Sequence, residues 1–256
     1  MVDALAVRGV VLAGGASTRF GDDEKALATL DGRPLVAHVV GAVAAATDGR
    51  PILAVADERQ GERLADVLDG AGGLDSVGGG AGGPDGSDER SLEVETVVDT
   101  PEFSGPLAGL FAAVERADVD WLFACACDMP LVTPAGIAAV REAALAVADG
   151  SGPNADGPGS DADGSGPNAD GPGSDAVVPV VDGHDQPLHA IYRRSALEAA
   201  REALSADDAL MAPLDELDVI RVDAADLDES LAAATTNVNT RADLDALRDD
   251  GPDRRD

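Results

Sequence analysis

Lysine occurs once in this 256-residue chain: of its 18 basic residues, all but Lys25 are arginine. Cysteine occurs twice, as Cys125 and Cys127. A C-x-C pair puts both side chains on one face of a strand and matches neither a disulfide framework nor a zinc site, so the two are read as small buried hydrophobes. Aromatic residues make up 2% of the chain, which leaves Ala, Val and Leu to fill the core. No apolar run approaches bilayer-spanning length, and no basic stretch with an apolar core opens the chain as a secretory leader would. A soluble, cytoplasmic protein is expected. Basic charge is also scarce, for 49 acids leave a net charge of −31. That field repels nucleic acid and anionic membranes and argues against both as partners. An acid-rich, lysine-poor composition suits a cytoplasm of molar salt, where screening shortens the repulsion to a few ångströms. It points to an extreme halophile, in which most acids form a solvated coat.

Two stretches have nothing to bury. "DGSGPNADGPGSDA" occurs twice in tandem, as Asp149–Ala162 and Asp163–Ala176, and "GAGGLDSVGGGAGGPDGSDERS" runs from Gly70 to Ser91. Their Gly, Pro, Asp and Ser content marks low-complexity insertions, at 70–91 and 149–176, rather than solenoid units. Residues 249–256 read as a disordered tail. Without the insertions, residues 1–248 leave roughly two hundred residues, the size of one compact domain.

The rest alternates. Short apolar runs at residues 4–13, 51–56, 92–99 and 121–128 read as buried strands, each followed by a helical pattern, at 34–46, 57–70, 105–117 and 133–148. Pro34 fits a first helical position, and Thr133 followed by Pro134 fits an N-cap and N1. Residues 176–194 look like two strands around a turn. The expected fold is α/β: a three-layer sandwich with a mostly parallel sheet.

In such sheets ligands bind beyond the carboxyl ends of the strands. The residues closing the first, third and fourth strands are Leu12, Ala13, Gly14 and Gly15, then Asp99, then Asp128. A glycine loop and two carboxylates therefore converge on one edge. A Gly-Gly loop lets backbone N–H groups approach a phosphate, and Ser17 adds a hydroxyl donor. Arg19 and Lys25 neutralise polyphosphate charge, the lysine as a compact point charge. An Asp ending an apolar strand can hold a Mg²⁺ that bridges phosphate oxygens. The pattern suggests a nucleoside triphosphate site, although the loop is not a Walker motif, for no Gly-Lys-Ser/Thr follows it, and Gly14, Gly15 and Gly21 do not give G-x-G-x-x-G. Plainer readings stand beside it: a turn for Gly14–Gly15, a surface role for Arg19, a helix cap or acidic coat for Asp128. Lys25 fits them least well, because this chain uses arginine wherever else it needs a base.

"LAGGASTRFG…K", "GPLAGL" (Gly105–Leu110), "CDMP" (Cys127–Pro130), "PLHAIYRR" (Pro187–Arg194) and "NVNTRADL" (Asn237–Leu244) occur in the order that resembles the molybdenum cofactor guanylyltransferases, MobA-type nucleotidyltransferases. The opening motif is shared by many nucleotidyltransferases; the combination is more specific. The resemblance implies a Rossmann-like nucleotidyltransferase fold and transfer of GMP from GTP to the terminal phosphate of molybdopterin, with release of pyrophosphate and with Mg²⁺ as metal. It implies GTP and molybdopterin as substrates, and molybdoenzymes or other cofactor-biosynthesis proteins as further partners. By motif, Leu12, Ala13 and Gly14 would hold the nucleotide through their backbone, Lys25 would contact phosphates, Asp99 would help bind GTP, and Asp128 would bind Mg²⁺ and the triphosphate. Two departures stand out: "GDDEK" has one residue more between glycine and lysine than the family's Gly-x-Asp-Lys, and Asp57 lies where the family often has asparagine. His189 lies on the acceptor side or packs inside a strand; Asn237 and Asn239 either support the site or cap the last helix. The rivals are a molybdopterin cytidylyltransferase, a guanylyltransferase for another phosphorylated acceptor, and a non-catalytic delivery protein. A sugar-nucleotide pyrophosphorylase would need a longer chain.

Overall fold

The computed structural model describes residues 5–14, 25–71, 92–148 and 174–249. The predicted strands form β1 (Val7–Leu12), β4 (Ile52–Val55), β5 (Glu95–Val98) and β6 (Trp121–Ala126). The helices between them are α1 (Leu35–Ala46), α2 (Glu58–Ala71) and α3 (Pro106–Arg116), with α4 (Pro134–Ala148) after β6. Ahead of α1 a small hairpin, β2 (Thr29–Leu30) and β3 (Arg33–Pro34), turns through Asp31 and Gly32. Both turn residues have positive φ (51° and 79°), which explains the Asp-Gly pair there. Helix α1 starts at Leu35, so Pro34 ends the hairpin instead of opening the helix, a correction to its expected place. Thr133 does cap α4, its Oγ1 accepting from the Gly136 N–H at 3.0 Å.

The region after α4 departs from the βα rhythm. Strand β7 (Ala176–Val181) pairs with the short β8 (His184–Asp185) and with β9 (His189–Arg193). Helices α5 (Arg194–Ala200) and α6 (Pro213–Glu216) lead to β10 (Val219–Asp223). Then come α7 (Ala224–Leu227), α8 (Leu231–Ala234) and α9 (Arg241–Asp249). The sheet order is β10-β7-β9-β6-β1-β4-β5. The β1/β4, β1/β6, β4/β5 and β10/β7 pairs are parallel, and β9 runs against both of its neighbours. The expected three-layer α/β sandwich with a mostly parallel sheet is what forms.

Alternate strand residues supply the two faces. Val7, Val11, Leu53, Phe123 and Cys125 pack with Val36, Val40, Leu64 and Ile137 from α1, α2 and α4. Val10, Leu12, Ile52, Leu122 and Tyr192 pack with Leu107, Phe111 and Leu197 from α3 and α5. Cys125 and Cys127 form no disulfide and are buried in the same cluster, as two small hydrophobes would be.

The low-complexity boundaries shift inward. Gly70 and Ala71 belong to the last turn of α2, with Ala71 and Leu68 buried against the core. At the far end Ser174 is buried, and Ala176 is a strand residue paired with Val219 and Tyr192. The last three residues of the tandem repeat are thus part of the fold. The remaining residues of both stretches, and 250–256, lie outside the described residues.

Candidate active site

The carboxyl ends of β1, β5 and β6 form the edge that the strand pattern marked. Past β6, Asp128 sits in a turn, its side chain about one-fifth exposed. Its carbonyl accepts from the Val238 N–H at 2.8 Å, which brings the C-terminal segment over it. Val238 and Leu244 pack with Leu30 and Leu35 in a small separate cluster, so the hairpin and α9 are fastened together around this point. Thr240 and Asp243 lock the start of α9 reciprocally. The Asp243 N–H donates to Thr240 Oγ1 at 3.2 Å, and Asp243 Oδ2 accepts from the Thr240 N–H at 2.8 Å. Asp243 also takes the Asn239 N–H at 2.8 Å, and these backbone donors hold its carboxyl below the usual carboxylate range.

That scaffold aims Asn239 at the lone lysine. Lys25 Nζ forms an ion pair with Asp128 Oδ2 and donates to Asn239 Oδ1 at 3.0 Å. Two segments, 103 and 214 residues further along the chain, meet on its one ammonium group. Asp128 Oδ1 is buried and has no hydrogen-bond partner among the described residues.

Asp99 follows β5, its N–H continuing the ladder to Val55 O at 2.8 Å. Its carboxylate lies between two glycines. A Cβ on Gly14 would collide with the Asp99 carboxylate, and a Cβ on Gly109, inside α3, would come within 3.1 Å of Asp99 Oδ1. Glycine is required at 14 to admit this carboxylate, a use of the loop that the phosphate argument did not anticipate. Asp99 Oδ1 is buried without a partner among the described residues, and burial pushes the group up to about 6.

The backbone of the loop's first residues is already engaged. Leu12 O accepts from the Cys127 N–H at 3.0 Å, and the Ala13 and Gly14 N–H groups both turn back to Ala54 O, at 2.8 and 3.1 Å. Ala13 O accepts from Gln60 Nε2 at 3.0 Å. Leu12, Ala13 and Gly14 are therefore a rigid floor rather than a set of free phosphate donors. Gly15, Ser17 and Arg19 lie outside the described residues.

Other residues weighed on sequence fall away from this edge or take structural roles. Asp57 caps the start of α2, its Oδ1 accepting from the Gln60 N–H at 2.8 Å. His189 is fully buried edge-on to Phe123, with ring centroids 5.3 Å apart, and burial holds its imidazole down to about 4. His38 Nε2 pairs with Leu30 O, and His184 is exposed at the start of β8. Sequence reasoning did not place Gln60 or Gly109 at the site. The Asp-x-x-Gln spacing after β4 signals a helix start, but nothing in it signals a third partner on β1.

Among the described residues no three His, Cys, Asp or Glu side chains cluster as a metal cage. No helix among them is long and apolar enough to cross a membrane. The carboxyl edge of this mostly parallel sheet thus carries a glycine floor, two under-satisfied carboxylates and one ammonium, groups suited to a phosphate-bearing ligand and a cation. The chain belongs to the MobA-like NTP transferase domain family, whose model matches residues 9–220. A probable molybdenum cofactor guanylyltransferase of Natronomonas pharaonis is 28% identical over 244 residues, covering 94% of this chain and 96% of that one. One of Bacillus licheniformis is 28% identical over 240 residues, covering 93% and 94%. The crystal structure of molybdopterin-guanine dinucleotide biosynthesis protein A from Archaeoglobus fulgidus matches with a TM-score of 0.63, over 94% of this chain and 97% of that one. At 22% identity that likeness is one of fold.

Proposed function

We propose that this protein transfers GMP from GTP to the terminal phosphate of molybdopterin, releasing pyrophosphate. The observation that carries the reading is the meeting of Lys25, Asp128 and Asn239 at the carboxyl edge of β6. Its support is the name borne by relatives that align along nearly the whole chain.

The acceptor phosphate is already ionised near neutral pH, so the transfer needs alignment and charge stabilisation more than a general base. An acceptor oxygen attacks the α-phosphorus of GTP, the bond to the β-phosphate oxygen breaks, and pyrophosphate departs. Lys25 would stabilise the developing negative charge, with Asn239 holding its ammonium at the edge. The floor of Leu12, Ala13 and Gly14 seats the nucleotide by close backbone approach. Phosphate donors then fall to Gly15, Ser17 and Arg19, which follow that floor in sequence.

A Mg²⁺ fits the residues present. Asp128 Oδ1 is a buried hard donor with no partner among the described residues, and Asp99 Oδ1 is another. Mg²⁺ is commonly held by one or two carboxylates, with phosphates and water completing its shell, so it needs no protein cage. When bound it neutralises phosphate charge and orients the triphosphate. Asp128 would hold it, Asp99 would assist in binding GTP, and Lys25 would pass from Asp128 to the phosphates as they arrive. With a net charge of −31, the protein is expected to work in molar salt.

The test is transfer of α-labelled nucleotide to molybdopterin in molar KCl with Mg²⁺, with GTP and CTP offered separately. Label moving from GTP alone is expected. Label from CTP would make the protein a cytidylyltransferase. GTP binding without transfer would point to a different phosphorylated acceptor or to a carrier.

A further inference from the structure

We propose that Gln60 is a positioning residue for the nucleotide: it locks the Ala13–Gly14 peptide at the base of the loop. The proposal rests on the reading of that loop as the nucleotide's seat.

Gln60 is a buried polar side chain in the first turn of α2. Its own N–H is fixed to Asp57 Oδ1 at 2.8 Å, so its backbone cannot drift. Its amide reaches two different strand ends. Oε1 accepts from the Ala56 N–H, just past β4, at 2.7 Å, and Nε2 donates to Ala13 O, just past β1, at 3.0 Å. The network fixes the amide's orientation, since a backbone N–H can only donate and a carbonyl can only accept.

The peptide between Ala13 and Gly14 is thereby held at both ends, its C=O by Gln60 and its N–H by Ala54 O. Such a clamp matters most next to glycine. Gly14 has no Cβ to restrict its backbone, so this peptide could rotate at little steric cost. Rotation would disturb two things together: the close fit of Gly14 against the Asp99 carboxylate, and the direction in which the chain leaves toward Gly15, Ser17 and Arg19. Only a side chain of this length with one donor and one acceptor completes the clamp. A leucine or methionine supplies neither, and a carboxylate cannot donate to Ala13 O.

The experiment uses the full chain in molar KCl with Mg²⁺, at a temperature where each variant is folded. GTP affinity is measured by calorimetry, and the transfer kinetics beside it. Gln60→Met is expected to weaken GTP binding about tenfold, the equivalent of one well-made hydrogen bond, and to lower kcat/KM for GTP in parallel. The KM for molybdopterin should stay within about twofold. In Gln60→Glu, burial at this place should raise the carboxyl above its ordinary value of about 4.3, so GTP affinity relative to the parent should be poor near about pH 8 and recover as pH falls toward about 5, where a protonated carboxyl again offers one donor and one acceptor. A residue that only stabilises the fold would lower Tm and leave the affinity of the folded protein unchanged. Folded Gln60→Met that binds GTP within about twofold of the parent overturns the proposal. If Gln60→Met does not fold, a pH-independent affinity ratio in Gln60→Glu overturns it instead. A parent protein that binds no GTP removes the underlying reading, and Gln60's role with it; a parent that binds while the variants bind equally removes Gln60's role alone.

Discussion

At the amino ends of the strands Arg8 is buried and each of its three side-chain nitrogens finds an oxygen: Arg50 O at 3.0 Å, Asp118 at 3.0 Å, and Glu95. Glu95 is shared with Arg116. At the carboxyl ends of the same strands, Asp99 and Asp128 each keep one buried oxygen with no partner among the described residues. A cavity of about 540 Å³ opens at the amino edge, lined by Arg8, Arg50, Arg116, Glu95 and Asp118. The cavity is roomy enough for a small ligand, but its charges answer one another. Completed ion pairs stabilise a fold and leave nothing for a ligand to gain, whereas under-satisfied carboxylates are a standing cost that a cation or a proton can relieve. Function is better located by the unanswered groups than by a roomy hollow.

The largest effects are expected at the carboxyl edge. Lys25→Ala and Asp128→Asn should each lower guanylyl transfer by about two to three orders of magnitude, the usual loss when a charge-stabilising group is removed. Their thermal midpoints should move by only a few degrees. Asp128→Asn should also lose the parent's Mg²⁺ dependence. The assay is labelled transfer beside calorimetric melting, and a variant with parental turnover would take that residue out of the mechanism.

Arg8→Leu should do the reverse. Removing the guanidinium leaves Glu95 with only Arg116, which is half exposed. Breaking a buried pair in this way costs about 3 kcal/mol, or roughly 10 °C in a domain of this size. Turnover measured well below the new midpoint should be parental. If Arg8→Leu abolished transfer while still folded, the division between the two edges would fail.

A smaller effect comes from Asp99. Its folded value of about 6 lies above the unfolded value of 3.8. The folded state therefore holds this proton more tightly, and the resulting stability is present at low pH and lost as pH rises through about 6. Asp99→Asn should remove that slope and raise stability near neutral pH by about 1 kcal/mol, discounted for the half-open position. The same variant should weaken GTP binding. Urea titrations across pH check the first expectation, and a variant with an undiminished slope would assign it to another group.

How much of this the sequence disclosed follows from where each signal lies in the chain. The βα alternation, with continuous apolar runs, named the fold and the edge, because buried parallel strands have to be apolar on both faces. Lys25, Asp99 and Asp128 were legible from position at strand ends and, for Lys25, from its singular composition. Asn239 was weighed only as a cap or a support, for its contact with Lys25 spans 214 residues and no local pattern carries that. Gln60 was hidden for the same reason: its spacing from Asp57 shows the helix start, while Ala13 comes close only once β1 and β4 pair. The role of Gly14 was misjudged in part, since a sequence shows that glycine allows close approach but not what approaches.

The smallest expected effect concerns the tandem repeat, and here the structure sharpens a purely compositional argument. The second copy ends in Ser174, Asp175 and Ala176, which are not expendable: the Asp175 N–H donates to Asp218 O at 2.8 Å and Asp175 O accepts from the Arg193 N–H at 2.7 Å. Deleting Asp163–Ala176 looks as though it should damage the sheet. The first copy, however, ends in the same three residues, Ser160, Asp161 and Ala162. After the deletion they directly precede Val177 and can take the vacated places, so β7 regains an identical start. What changes is the length of the connection between α4 and β7, which is roughly halved. Halving a loop lowers its closure cost by about 0.6 kcal/mol, so the deletion should leave turnover parental and raise the melting midpoint by about 2 °C. A large fall in the midpoint would mean that the two copies are not interchangeable, and that residues 149–162 do something the second copy cannot.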